Sequence, residues 1–91
     1  MQADKQKITR LLKTVKGQID GLIKMVEDDR YCIEISNQIL ASESILKKIN
    51  LEILNEHFSR CVKNALKTGG EKEIEIKLKE INYVLAKLLK F

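Results

Sequence analysis

From Arg30 to Thr68 the chain runs without a glycine or a proline. This stretch constrains everything else. Proline breaks helices and glycine weakens them, so an uninterrupted run of this length with apolar residues at helical spacing reads as one helix. Its apolar positions include Ile35, Ile39, Leu46, Ile49, Ile53, Leu54, Phe58, Val62, Ala65 and Leu66. The flanks supply the punctuation. Glu27-Asp28-Asp29-Arg30 is a polar cluster short enough for a tight helix–helix turn. Gly69-Gly70 are placed to supply the φ > 0 positions of a helix C-cap. At 1.5 Å per residue, a helix over about residues 30–67 spans ~57 Å, well beyond an ordinary globular helix.

Two further helices are predicted beside it. Over about residues 4–28, Ile8, Leu11, Leu12, Val15, Ile19, Leu22, Ile23 and Val26 recur at steps of three and four. Asp4 is placed to cap this first helix. Gly17 and Gly21 lie four apart within it, a spacing expected to allow close approach to a neighbouring helix. Over about residues 71–90, Ile74, Leu78, Ile81, Leu85 and Leu88 step by 4, 3, 4, 3, a seam-like pattern. The expectation is an all-α, three-helix protomer. The first helix, at ~36 Å, is too short to cover the second. A long helix with an uncovered apolar stripe needs a partner, so a dimer built on the second helix is expected. Asn50 reads either as a register-setting polar residue in that seam or as a plain surface asparagine.

Composition narrows the function. Ninety-one residues make one domain at most, and a chain this short buries a modest fraction of its surface alone. The mix is rich in Lys, Glu, Ile and Leu and lacks Pro and Trp, which argues against a β-sandwich. Apolar runs reach about three residues, too short for a membrane span. The N-terminus is polar and carries no signal-peptide pattern. Two cysteines in such a chain are expected to be reduced thiols in a cytoplasm. One histidine, no glycine-rich phosphate loop and no acid–base pair in an evident pocket argue against an enzyme.

The net charge of +4 is mild, but it is unevenly placed. Residues 1–24 hold Lys5, Lys7, Arg10, Lys13, Lys16 and Lys24 against Asp4 and Asp20. A basic first helix is an electrostatic footprint for nucleic acid, and equally an ordinary solvated face. Membrane-surface or partner-groove binding by the same helix is a third reading of a different class.

His57 and Cys61 are four apart, hence on one helix face with Cβ atoms roughly 5–6 Å apart. Alone, such a pair is more often packed core than ligand. Cys32 changes this. It lies 25 residues before His57, ~37 Å along a straight helix. Within one rod the three side chains cannot meet. In an antiparallel pair of rods, Cys32 of one chain lies beside His57 and Cys61 of the other. Two thiolates and an imidazole suit Cu(I). Structural zinc would want a fourth ligand, from Glu52, Glu56 or water. Thiol chemistry without a metal, linking the two cysteines across the interface, also fits.

Taken together, these stations resemble the copper-sensitive operon repressor family of bacterial transcriptional repressors. The resemblance runs through Leu12-Lys13-Thr14-Val15-Lys16-Gly17-Gln18-Ile19-Asp20-Gly21, then Met25-Val26-Glu27-Asp28-Asp29-Arg30-Tyr31-Cys32, Gln38-Ile39, and Glu56-His57-Phe58-Ser59-Arg60-Cys61-Val62. It implies a dimer forming an antiparallel four-helix bundle, and a dimer of dimers. It further implies Cu(I) held by Cys32 from one subunit and His57 and Cys61 from the other, with Tyr31 beside them. Operator DNA would be bound without copper and released with it. Lys5, Arg10, Lys13 and Lys16, with Lys47 and Lys48, would face DNA phosphates, which supply affinity and register. Relatives that sense persulfide typically keep the two cysteines and lack the histidine; they supply the alternative reading, a persulfide sensor linking Cys32 and Cys61.

Two positions depart from the family pattern. Leu11 stands where an arginine is usual, and Arg10 lies ~100° away around the helix. Lys77 stands where copper sensors carry a glutamate that supports the ligand histidine. Glu75 and Glu80 are the candidates to replace it, although neither shares its angular position.

Overall fold

The structure is a computed structural model that describes residues 1–90. It is all-α: α1 spans Lys5–Glu27, α2 Cys32–Thr68 and α3 Glu71–Leu88, with no strand among the described residues. Each helix begins or ends within two residues of its expected bound. The chain divides into two compact units. One is Ala3–Ile53 with Met1; the other is residues 54–90 with Gln2. The 37-residue α2 contributes to both.

In the first unit α1 is capped as its sequence dictates. The Asp4 carboxylate accepts from the backbone N–H of Gln6 and Lys7 at 3.0 and 3.2 Å. These are two of the donors that a helix start leaves without partners. The far end closes on a left-handed residue, Asp29, with φ 51°. Arg30 N–H reaches Met25 C=O at 3.0 Å and Asp29 N–H reaches Val26 C=O at 3.1 Å, the paired bonds of a Schellman turn. Glycine is usual at that position; Asp is among the few other residues that visit it.

The core of this unit is Ala3, Ile8, Val15 and Ile49, with Leu11, Ile45 and Ile53 packed on it. Ile45, Ile49 and Ile53 recur every four residues and present one row of α2 to Ile8, Leu11 and Val15 of α1. One turn before that row, the buried Ser42 hydroxyl donates to Gln18 Oε1 at 2.7 Å. Lys7 and Glu52 pair at 2.8 Å near the other end. Leu11, the departure from the family pattern, is thus a core contact, while Arg10 beside it is exposed.

Gly17 and Gly21 have no close neighbour within the chain, since a Cβ at either would meet nothing within 4 Å. One expectation about glycine is corrected. Gly69 and Gly70 do not take positive φ. Gly70 is extended (φ −83°, ψ −176°) and caps the start of α3. Gly69 is needed for room, since a Cβ there would sit 2.7 Å from Glu73 Cβ and 2.9 Å from the Ala65 carbonyl oxygen. Gly70, the other residue of the link, has open space around it.

The second unit, the end of α2 with α3, is packed more loosely. Ala65 is its one buried apolar residue among those described. Ile74, Ile81 and Val84 of α3 are half-buried, whereas Leu66, Ile76, Leu78 and Leu85 remain exposed.

Candidate metal centre and nucleic-acid face

His57 and Cys61 stand one turn apart near the C-terminal end of α2. Cys61 Sγ lies 3.7 Å from His57 Nε2, and both residues are half-buried. The imidazole meets Phe58 edge to face, ring centroids 5.3 Å apart. Glu80 of α3 brings its Oε1 to 3.0 Å from the same Nε2. Nε2 bonds a carboxylate only as an N–H donor, so Glu80 selects a ring with its proton there and orients it.

Of the two candidate supporting carboxylates, the structure therefore brings Glu80 to the histidine and leaves Glu75 on the surface, 3.8 Å from Lys79. The angular offset that separates position 80 from position 77 does not prevent contact. Lys77 instead lies along an apolar groove with Val62, Ala65, Leu66, Ile74, Leu78 and Ile81. There its hydrocarbon stem covers apolar surface. Spacing alone could not separate Glu75 from Glu80, because the choice depends on how α3 is rotated after Gly69-Gly70.

Cys32 opens α2 and is exposed, as is Tyr31. The Tyr31 carbonyl accepts from Glu34 N and Ile35 N at 3.0 and 3.2 Å, and the Arg30 guanidinium grips Glu34 at 2.7 Å. Both cysteines are free thiols. Among the described residues, no three of the His, Cys, Asp and Glu side chains converge within one chain on a position fit for a metal ion. Glu52, a candidate fourth ligand, is engaged by Lys7.

The cationic residues expected to meet DNA are all at the surface. Lys5, Arg10 and Lys13 share a shallow face of α1 with Gln6, Thr9 and Thr14. Lys16 follows on the same helix, and Lys47 and Lys48 are exposed on α2. Among the described residues none of these six cations has an acidic partner. Lys7, also on α1 but outside this set, is paired with Glu52.

Residues 4–87 match the sequence profile of the metal-sensitive transcriptional repressors. The copper-sensing repressor CsoR of Bacillus subtilis (strain 168) is 43% identical over 72 residues, 78% of this chain and 71% of that one. The copper-sensing repressor RicR of Mycobacterium tuberculosis (strain ATCC 25618 / H37Rv) is 37% identical over 86 residues, 94% of this chain and 88% of its own. Two solved structures superpose closely. The Cu(I) form of CsoR from Geobacillus thermodenitrificans NG80-2 has a TM-score of 0.81 at 36% identity, covering 93% of this chain and 85% of that one. The nickel-responsive regulator InrS has a TM-score of 0.83 at 30% identity, covering 98% and 97%. The chain belongs to the CsoR family of metal-sensitive transcriptional repressors.

Proposed function

We propose that this chain is a transcriptional repressor that binds operator DNA and releases it on taking up Cu(I). The metal site is shared between copies: Cys32 from one protomer, His57 and Cys61 from another. One observation carries this reading. His57 and Cys61 stand one turn apart on α2, while Cys32 stands 25 residues earlier on the same uninterrupted helix, and one chain assembles no metal-binding cluster among its described residues. The donor set fits the ion. Two thiolates and a neutral imidazole are soft ligands of the kind Cu(I) prefers. Glu80 holds Nε2, which leaves Nδ1 as the imidazole nitrogen with a free lone pair. When bound, Cu(I) would tie the two chains together, and any difference in its affinity between two quaternary arrangements becomes the free energy that moves DNA affinity.

Assembly is supported by the surface left bare. The chain exposes 7437 Å², against roughly 5,400 Å² for a compact monomer of its 10.5 kDa. The excess is on the order of a dimer interface. It includes Leu12, Ile19, Ile23 and Val26 on one side of α1 and Ile33, Ile39, Leu40, Leu46 and Leu51 on α2. An antiparallel four-helix bundle of two protomers, paired again into a tetramer, would cover such faces. No described helix is long and apolar enough to cross a membrane.

The similar proteins favour copper, since CsoR and RicR are copper-sensing, whereas InrS shows that a related fold responds to nickel. Persulfide sensing by Cys32 and Cys61 is the less favoured alternative, because the persulfide sensors that the chain resembles typically lack the histidine that stands here as His57.

Complementation tests the shared site. Cys32→Ala and Cys61→Ala proteins are each expected to bind operator DNA and to ignore Cu(I). Unfolded together and refolded as a mixture, they form hybrids in which one site has all three ligands, so copper-dependent release returns in part. X-ray absorption of the Cu(I)-loaded parent is expected to show two sulfurs and one nitrogen. A mixture as silent as its components would refute the shared site, and single variants that still respond to Cu(I) would refute the ligand assignment.

A further inference from the structure

α3 carries as many glutamates as lysines: Glu71, Glu73, Glu75 and Glu80 against Lys72, Lys77, Lys79 and Lys87. It has no net charge, yet its charges are sorted by angle. At 100° per residue, Lys72, Ile76, Lys79, Tyr83 and Lys87 fall within an arc of about 80°. All five are exposed. Glu73 and Glu80 lie to one side of the arc and Glu75 to the other. Lys77 is on the packed side, in the groove against α2.

A solvated helix gains little from this sorting beyond the Glu75–Lys79 pair. Surface helices are steadied by opposite charges three or four residues apart, and like charges in one stripe repel. Here Lys79 alone of the three stripe lysines has an acidic partner among the described residues, Glu75 at 3.8 Å, with both side chains largely exposed. Lys87 is held differently. Its ammonium sits 4.7 Å above the Tyr83 ring, a cation–π contact that orders the amine and leaves the tyrosine exposed beside it.

The spacing identifies the class of ligand. Lys72 to Lys79 is about 10 Å along the helix axis and Lys79 to Lys87 about 12 Å. No two amines converge on one point, so a small anion is not the target. A row of cations over ~22 Å, with a phenol among them, suits an extended polyanion whose charges recur every few ångströms. We propose that this outward face of α3 is a second phosphate-contacting surface for DNA, additional to the cations of α1 and α2. The inference rests on the reading of the chain as an operator-binding repressor. The contacts are to backbone phosphate, so they add affinity and leave sequence preference unchanged.

The test is a salt titration of binding to a fragment of the protein's own promoter, between about 50 and 200 mM salt. The parent is compared with Lys72→Gln/Lys79→Gln/Lys87→Gln, with the three corresponding arginine substitutions, and with Lys63→Gln/Lys67→Gln as a charge control elsewhere. Each lost phosphate contact flattens the slope of log K against log salt by about 0.9. The glutamine triple is expected to be shallower by about 2–3, with the same loss on operator and unrelated DNA and an unchanged oligomeric mass. The arginine triple is expected to keep the parental slope. A glutamine triple with the parental slope, one whose slope changes no more than that of the charge control, or one whose oligomer falls apart would overturn the α3 surface. So would a triple that loses binding only to anionic lipid vesicles. A parent protein without operator affinity would instead remove the repressor reading, and this inference with it.

Discussion

The two compact units differ in how their polar residues are used. In the first, polarity serves packing. Ser42 is buried and bonded to Gln18, Lys7 is paired with Glu52, and both contacts flank a row of buried isoleucine and valine. In the second, the polar residues near the packed faces are those with chemistry. His57, Cys61 and Glu80 cluster at one imidazole nitrogen, Glu80 at 3.0 Å and Cys61 at 3.7 Å from Nε2, half-exposed, with Ala65 the one buried apolar residue described. A well-filled core resists local opening, while a region with few buried apolar contacts opens at lower cost. The unit that holds the α1 cations is the firmer one, and the unit that holds His57 and Cys61 is the more yielding. A sensor whose ligand biases one of two arrangements draws its moving parts from the low-stability end.

The largest effect should come from the firm half. Ile49→Ala removes a buried side chain that both helices contact and is expected to cost about 2–5 kcal/mol, read as a shift in the denaturant midpoint. Ile81→Ala, half-buried in the other unit, should cost clearly less. Equal losses would break the contrast between the halves. Hydrogen exchange sharpens it: α3 amides are expected to exchange faster than those in the middle of α1.

Next is Glu80→Ala. The Glu80 carboxylate orients His57 without lying in a core, so unfolding free energy should change by less than about 1 kcal/mol. Cu(I) affinity should fall by about 10–100-fold. The His57 ring should also lose its single tautomer by nitrogen NMR, a readout that needs no metal. A stability loss matching that of Ile49→Ala would make Glu80 a structural residue instead.

The smallest effect is at the turn after α1. Asp29→Gly relieves a left-handed residue, about 1–2 kcal/mol, and gives back much of it as chain entropy. A net gain of about 0.5–1 kcal/mol is expected by thermal unfolding. A loss would mean that the Asp29 side chain contributes a contact beyond the backbone bonds of the Schellman turn.

Sequence patterning by itself determined the three helices. Their evidence is local: a long stretch free of glycine and proline, apolar residues at steps of three and four, Asp4 at a cap position and glycines at a break. The pairing of His57 with Cys61 was legible for the same reason, since residues four apart share a face of any helix. Rotation of one helix against another was not legible, because it depends on side chains far apart in sequence. Only the tertiary structure decided that Leu11 joins the core, that Ser42 finds Gln18, that Lys7 is taken by Glu52, and that Glu80 rather than Glu75 reaches the histidine. It also decided that Gly69 is required by crowding and that the left-handed turn falls on Asp29. Periodicity specifies which residues lie on one stripe of a helix; which stripe meets which follows from packing, and packing set the partners of this site.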